Sequence, residues 1–159
     1  MSFGYKATAQ DSIDIDADSG WPALSTAEFR KHRRIPEFYE EAVIADSLNR
    51  SALEVQKQII KYTMKDNKDV DFALVNGVPD FNDAEQSVYR GAVYARSHSD
   101  LMGYFSSVDQ KPSGNNKADD VNQQDAILAQ SNRSVRLLLG LGRAGVQSLW
   151  AKQLPNCSN

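Results

Sequence analysis

The sequence predicts an all-α protein, an irregular antiparallel bundle of about four helices with extended N- and C-terminal arms. Three observations predict it. Apolar residues recur at steps of three and four in several stretches. No glycine or proline interrupts the chain between Pro36 and Gly77. Ser25 with Glu28, and Asn82 with Glu85, have the spacing of a helix-capping box. At 159 residues the chain suffices for one core and is short for two, so the domain reading is a flexible acidic arm over 1–20, a helical domain over 21–145 and an extended docking tail over 146–159.

Residues 1–20 are rich in Ser, Asp, Ala and Gly, with only Ile13 and Ile15 alternating between aspartates; this composition reads as an arm. The chain changes character at Trp21-Pro22, and Ser25 opens a short helix of roughly ten residues. Ile35-Pro36 closes it, because the residue before proline is pushed out of the helical region. Pro36 suits the first turn of a second helix, where its missing N–H costs nothing, and Glu37, Glu40 and Glu41 oppose the positive end of its dipole. Ile44, Leu48, Ala52, Val55, Ile59 and Tyr62 then mark one helical face running to about Thr63.

Residues 65–81 read as a charged connection broken by Asn76-Gly77 and Pro79. Asn82 caps a third helix, with Ala84, Val88, Ala92, Ala95 and Met102 at helical spacing, to about Phe105; its small residues would let a neighbour approach closely. A polar loop over 107–117 contains Pro112 and Gly114. Asp119 or Asp120 starts the fourth helix, whose apolar face is Ile127, Leu128, Val135 and Leu138, and Gly140 and Gly142 stop it.

Composition is that of an ordinary globular protein: 41% hydrophobic, 25% charged, net charge -3. That excludes a generally basic nucleic-acid binder and a disordered acidic chain. The charge is unevenly placed. Lys6 faces Asp11, Asp14, Asp16 and Asp18 in the first twenty residues, whereas Arg30, Lys31, Arg33 and Arg34 face only Glu28 in the next fifteen. These adjacent, opposite fields are able to pair within or between subunits. Cys157 is the only cysteine, which leaves no disulfide framework. The N-terminus lacks a secretory pattern and no apolar run approaches the roughly 18 residues of a membrane span, so a soluble, cytoplasmic protein without a membrane partner is expected. Three Asn-x-Ser triplets carry no weight without a secretory signal.

Chemistry-bearing motifs are few. Gly140-Leu141-Gly142-Arg143-Ala144-Gly145 spells a dinucleotide-binding G-x-G-x-x-G, but such a loop follows a strand and precedes an acidic ribose partner about 20 residues on. Here a helix precedes and fourteen residues follow, so it reads as a helix stop. His32 and His98 are the only histidines, and neither sits in a spacing that gathers the several ligands a metal needs. Asp119, Asp120 and Asp125 are explained by capping and the helix dipole. No catalytic residue, metal or cofactor is therefore expected. The run Arg30-Lys31-His32-Arg33-Arg34 could neutralise about four phosphates, which keeps open a small helical DNA-binding regulator. Against it, the run encircles a turn, lacks interleaved aromatics and is followed by no helix-turn-helix partner. An interface role opposite acidic partners, or a merely solvated face, are the other readings.

Taken in order, the segments resemble the GpL-type head completion proteins of contractile-tailed phages. The resemblance spans 21–150: Trp21-Pro22-Ala23-Leu24-Ser25 with Phe29-Arg30; Pro36; Val88-Tyr89-Arg90 with Ala92-Val93 and Leu101; Ser107-Val108-Asp109 and Lys117-Ala118-Asp119; then Ser134-Val135-Arg136, Gly140, Arg143 and the apolar stretch 146–149. The glycines at 142 and 145 and the polar end Leu154-Pro155-Asn156 depart from the pattern. The resemblance implies a structural virion protein of the neck, assembled in the host cytoplasm. It would bind the portal after DNA packaging as a ring of its own copies, a dodecamer, retain the genome and present a surface to the next neck protein. DNA would pass through without sequence-specific binding. The interface candidates are Arg30, Lys31, Arg33 and Arg34 in the basic segment and Val146, Leu149 and Trp150 in the tail.

Overall fold

One helix stands at the centre of the described residues. In the computed structural model, which describes residues 11–64, 72–108 and 117–141, the elements run β1 (Asp14–Ile15), β2 (Leu24–Ser25), α1 (Thr26–Arg33), α2 (Glu41–Thr63), β3 (Leu74–Val75), β4 (Val78–Pro79), α3 (Asp83–Val108) and α4 (Lys117–Leu138). The central helix is α3. Tyr89, Ala92, Val93, Tyr94 and Ala95, five residues within two turns, are each at most 1% exposed, so burial there extends around the helix rather than along one stripe. It packs against α2 on one side and α4 on the other. Both pairs are antiparallel: Ser47 meets Ser97 and Gln56 meets Tyr89, while Ser131 meets Ala92 and Gln124 meets Ser99.

The long second helix buries the face its periodicity predicts. Ile44, Leu48, Val55 and Ile59 are fully buried and Ala52 nearly so, with Tyr62 packed at the margin. Each of the larger aliphatics contributes about 1.5–3 kcal/mol relative to an exposed position. On α4 the buried line is Ser131, Val135 and Leu138. Leu128, expected on that face, is 37% exposed; one turn further on, Ser131 Oγ instead donates to the Ala92 carbonyl at 2.8 Å. A hydroxyl satisfied in this way permits closer helix contact than leucine would.

The described part of the chain is mostly helical but not purely all-α. Two short antiparallel ladders correct the expectation. In the first, Asp14 pairs with Ser25 and Ile15 with Leu24; Ile15 is 4% exposed, so this part of the presumed flexible arm is packed against the bundle. In the second, Leu74 pairs with Pro79 and Val75 with Val78. Asn76 and Gly77, at φ 53° and 80°, form the two-residue turn whose twist matches a hairpin. The Asn-Gly pair that reads as a chain break is thus a strand reversal. Phe72 and Phe81 close its base edge-to-face at 4.9 Å, and Phe81 continues into a cluster with Trp21 and Tyr89.

Helix ends explain the other differences. The Asn82 box is complete: the Glu85 amide donates to Asn82 Oδ1 at 3.0 Å and the Asn82 amide to Glu85 Oε2 at 2.9 Å. At the end of α4, Gly140 takes φ 68°. Its N–H reaches the Leu137 carbonyl, and the Leu141 N–H reaches that of Arg136, the paired bonds of a Schellman stop. The second helix begins at Glu41 rather than Pro36. The intervening Pro36 and Tyr39 carbonyls accept from the Arg30 guanidinium, which holds them in a turn. Helix α3 extends to Val108, past the expected end near Phe105, and α4 starts at Lys117, ahead of the expected Asp119 or Asp120. Gly142, Gly145 and the tail candidates Val146, Leu149 and Trp150 lie outside the described residues.

Candidate docking surfaces

The basic segment is positioned by α1, whose first turn is tied down twice. Ser25 Oγ accepts from the Glu28 amide at 3.1 Å. The Glu28 carboxylate, instead of reaching back to the cap as a capping box would, accepts from the Tyr94 hydroxyl at 2.8 Å, and that hydroxyl accepts from the Ser25 amide at 3.4 Å. Tyr94 thus stands between the two halves of the box and fixes α1 to α3. Phe29 is buried and lies 5.5 Å from the Tyr94 ring, so the arginine on either side of the buried stripe has a defined direction.

Arg30 points inward. Its Nη2 lies 2.7 Å from Glu41 Oε2 and its Nε donates to the same oxygen at 2.9 Å; Nη1 donates to the Pro36 carbonyl at 2.7 Å and Nη2 to that of Tyr39. A planar fork of donors is suited to holding a carboxylate and two carbonyls together. Arg33 is likewise built in: it donates to Gln130 Oε1 on α4 at 3.0 Å and to the Gly91 carbonyl on α3 at 3.3 Å, and burial lowers its pKa from the ordinary arginine value. Lys31 and Arg34 are exposed. Arg34 also ends the helix, in the left-handed region at φ 52°. The four cations are therefore not one surface. Two brace the bundle and two face outward.

Further ties were not foreseen from the sequence. Arg96, 4% exposed, donates to Gln58 Oε1 at 3.2 Å and Asn132 Oδ1 at 3.1 Å and lies 3.5 Å from Glu54, joining α2, α3 and α4. The visible signal was a cation four residues beyond Ala92, on the buried period. Gln56 donates to both Asp16 Oδ2 (2.7 Å) and the Tyr89 hydroxyl (2.9 Å). Burial, first of all, raises the pKa of both Tyr89 and Tyr94 well above the ordinary phenol value, so these hydroxyls act as neutral ties between elements. His98 is pushed down by burial and by the Arg33 charge, and its Nδ1 is buried without a hydrogen-bond partner among the described residues. Asp100 is pushed up by burial and by Glu54. Among the described residues, no group of three or more His, Cys, Asp or Glu side chains is placed to hold a metal ion, and no helix is long and apolar enough to cross a membrane.

Among the described residues Val75, Val121 and Leu137 are exposed apolar side chains, and two larger exposed apolar features stand out. On the outer face of α2, Trp21, Leu53, Ile60 and Met64 line a groove of about 550 Å³, with Lys57 and Lys61 among its walls. Leu53 is 54% and Met64 76% exposed. The second feature is Phe38, 73% exposed, in the turn before α2 between Glu37 and Glu40, both exposed. Its ring rests 4.3 Å from Tyr39, which stacks on Phe105 of α3.

A family model described as phage head completion protein (GPL) matches residues 15–149. No curated protein and no solved structure matches the chain. With most of its length inside that match, the chain belongs to the phage head completion protein family, a family of structural proteins of the phage head.

Proposed function

We propose that this head completion protein is the adaptor that assembles as a ring, a dodecamer, beneath the portal once DNA is packaged, helps retain the genome and links the head to the next neck protein. The observation that carries the reading is the family match over 15–149. The described surface agrees with it: the prominent unfilled features are apolar and suited to protein contact, and half of the basic segment braces the fold. That bracing argues against a small helical DNA-binding regulator, because Arg30 and Arg33 would have to leave their partners to reach phosphates. In this reading Lys31 and Arg34, with Val146, Leu149 and Trp150 of the tail, meet the portal or neighbouring copies, and DNA passes through the ring without sequence-specific contacts.

Deleting residues 146–159 tests the assignment of the tail. The expected outcome is loss of joining to portal-bearing heads while far-ultraviolet circular dichroism stays unchanged. Normal head completion by the truncated protein contradicts it. A salt series with duplex DNA tests the rival: affinity falling steeply as salt rises supports the regulator, and no binding at low salt removes it.

A further inference from the structure

The groove on α2 and the Phe38 turn are both apolar and are flanked by opposite charges. The groove has an apolar floor of Trp21, Leu53, Ile60 and Met64 with Lys57 and Lys61 beside it, and among the described residues no acidic side chain lines it. The turn presents one large apolar side chain between two glutamates. The two cannot meet within one molecule. Phe38 stands just before the start of α2, whereas the groove lies over its second half, roughly 20–35 Å away along a continuous helix at 1.5 Å per residue. From these facts we infer that Phe38 of one copy seats in the Leu53, Ile60 and Met64 groove of the next, with Glu37 and Glu40 against Lys57 and Lys61.

Such a contact joins different patches on the two copies, so every copy has one knob and one groove free to continue the chain. A heterologous contact of this type closes into a ring when its rotation permits and otherwise makes a filament. The knob is held in place before binding, because Tyr39 beneath it stacks on Phe105 with centroids 3.3 Å apart, which reduces the ordering cost of association. A second groove, of about 310 Å³, is lined by Asp46, Arg50 and Asp100 together with Ala42, Leu101 and Tyr104. It would set Glu37 and Glu40 against two aspartates, and Arg50 is already 3.2 Å from Asp46. Charge therefore selects the lysine-flanked groove.

The inference rests on the proposed self-assembly, and sedimentation velocity on the full chain over a range of concentrations separates the two. Wild-type protein is expected to form species larger than a monomer. Phe38→Glu and Leu53→Glu, both at exposed positions, should each weaken association roughly tenfold or more, as loss of an anchor does, with unchanged helicity. The two variants mixed in equal amounts should recover a dimer and nothing larger, since one intact knob faces one intact groove. Glu37→Lys should also weaken association, and Lys57→Glu/Lys61→Glu in the mixing partner should restore it. Wild-type association that persists in all these variants overturns the inference and leaves self-assembly standing. A wild-type chain that stays monomeric at every concentration overturns the inference, and the reading of a ring beneath the portal then stands or falls on binding to portal-bearing heads.

Discussion

Arginines of α1 and lysines of α2 carry the same charge and occupy comparable helical positions, yet their surroundings differ. Arg30 and Arg33 bond to a carboxylate, three backbone carbonyls and a glutamine. Lys57 and Lys61 stand exposed beside an apolar groove. The difference teaches that a dense run of cations says little about how much charge is available to a partner. A guanidinium fork can satisfy several carbonyls at once where the chain must turn, and an ammonium on a flexible stem can lie along apolar surface with its charge in water.

Substitution should expose this contrast. Arg30→Ala takes the guanidinium away from Glu41, 8% exposed, and frees two carbonyls, so a loss of about 3–5 kcal/mol is expected in urea unfolding; Lys57→Ala should stay within about 0.5 kcal/mol. Equal effects at the two sites would break the comparison. Arg30→Lys should recover only part of the loss, because one ammonium cannot reproduce the fork. Arg33→Ala comes next, at about 1–2 kcal/mol for two charge-assisted bonds, read the same way.

Arg34 sharpens the contrast from the other side. Its left-handed backbone carries a steric cost that glycine avoids, and the side chain is exposed. Arg34→Gly should therefore raise the thermal midpoint, by an amount equivalent to roughly 0.5–1 kcal/mol once relief of a left-handed cost of about 1–2 kcal/mol is set against glycine's greater unfolded-state entropy. A lowered midpoint would mean that the guanidinium has a partner in the fold after all.

The smallest expected effect is a pH dependence at His98. Burial and the nearby Arg33 lower its pKa in the folded chain, so the unfolded chain binds the proton first as pH falls. The stability from keeping this imidazole neutral is whole above the unfolded value, near 6.5. It declines as pH drops through that value toward the lower folded one. Replacing His98 with Asn should flatten this part of the stability profile relative to wild type; an unchanged slope would place the proton elsewhere.

Much of the fold was legible because its signals are local. The period of Ile44, Leu48, Val55 and Ile59, the Asn82 box and the Gly140 stop each depend on residues within a few positions of one another. Pro36 misled because a non-local bond decides there: Arg30 captures the carbonyls that would otherwise enter the helix. Asn76-Gly77 was seen as a break, although flanking Val75 and Val78 carry a hairpin pattern. Of the candidate docking residues, the α1 run was visible as charge, but which members face outward depends on Glu41, Gly91 and Gln130. The α2 groove was not foreseen, because Leu53, Ile60 and Met64 fall off the strong buried stripe and become a surface only when Trp21 and Gly77 fold beside them.

Whether these surfaces serve a head completion adaptor is tested most directly by electron microscopy of DNA-filled, portal-bearing heads mixed with the full-length chain. A closed ring of density below the portal, with the Phe38 turn of each copy against the α2 groove of its neighbour, is the predicted result. Heads that bind no copies of the chain, and lose their DNA equally with or without it, would contradict the account.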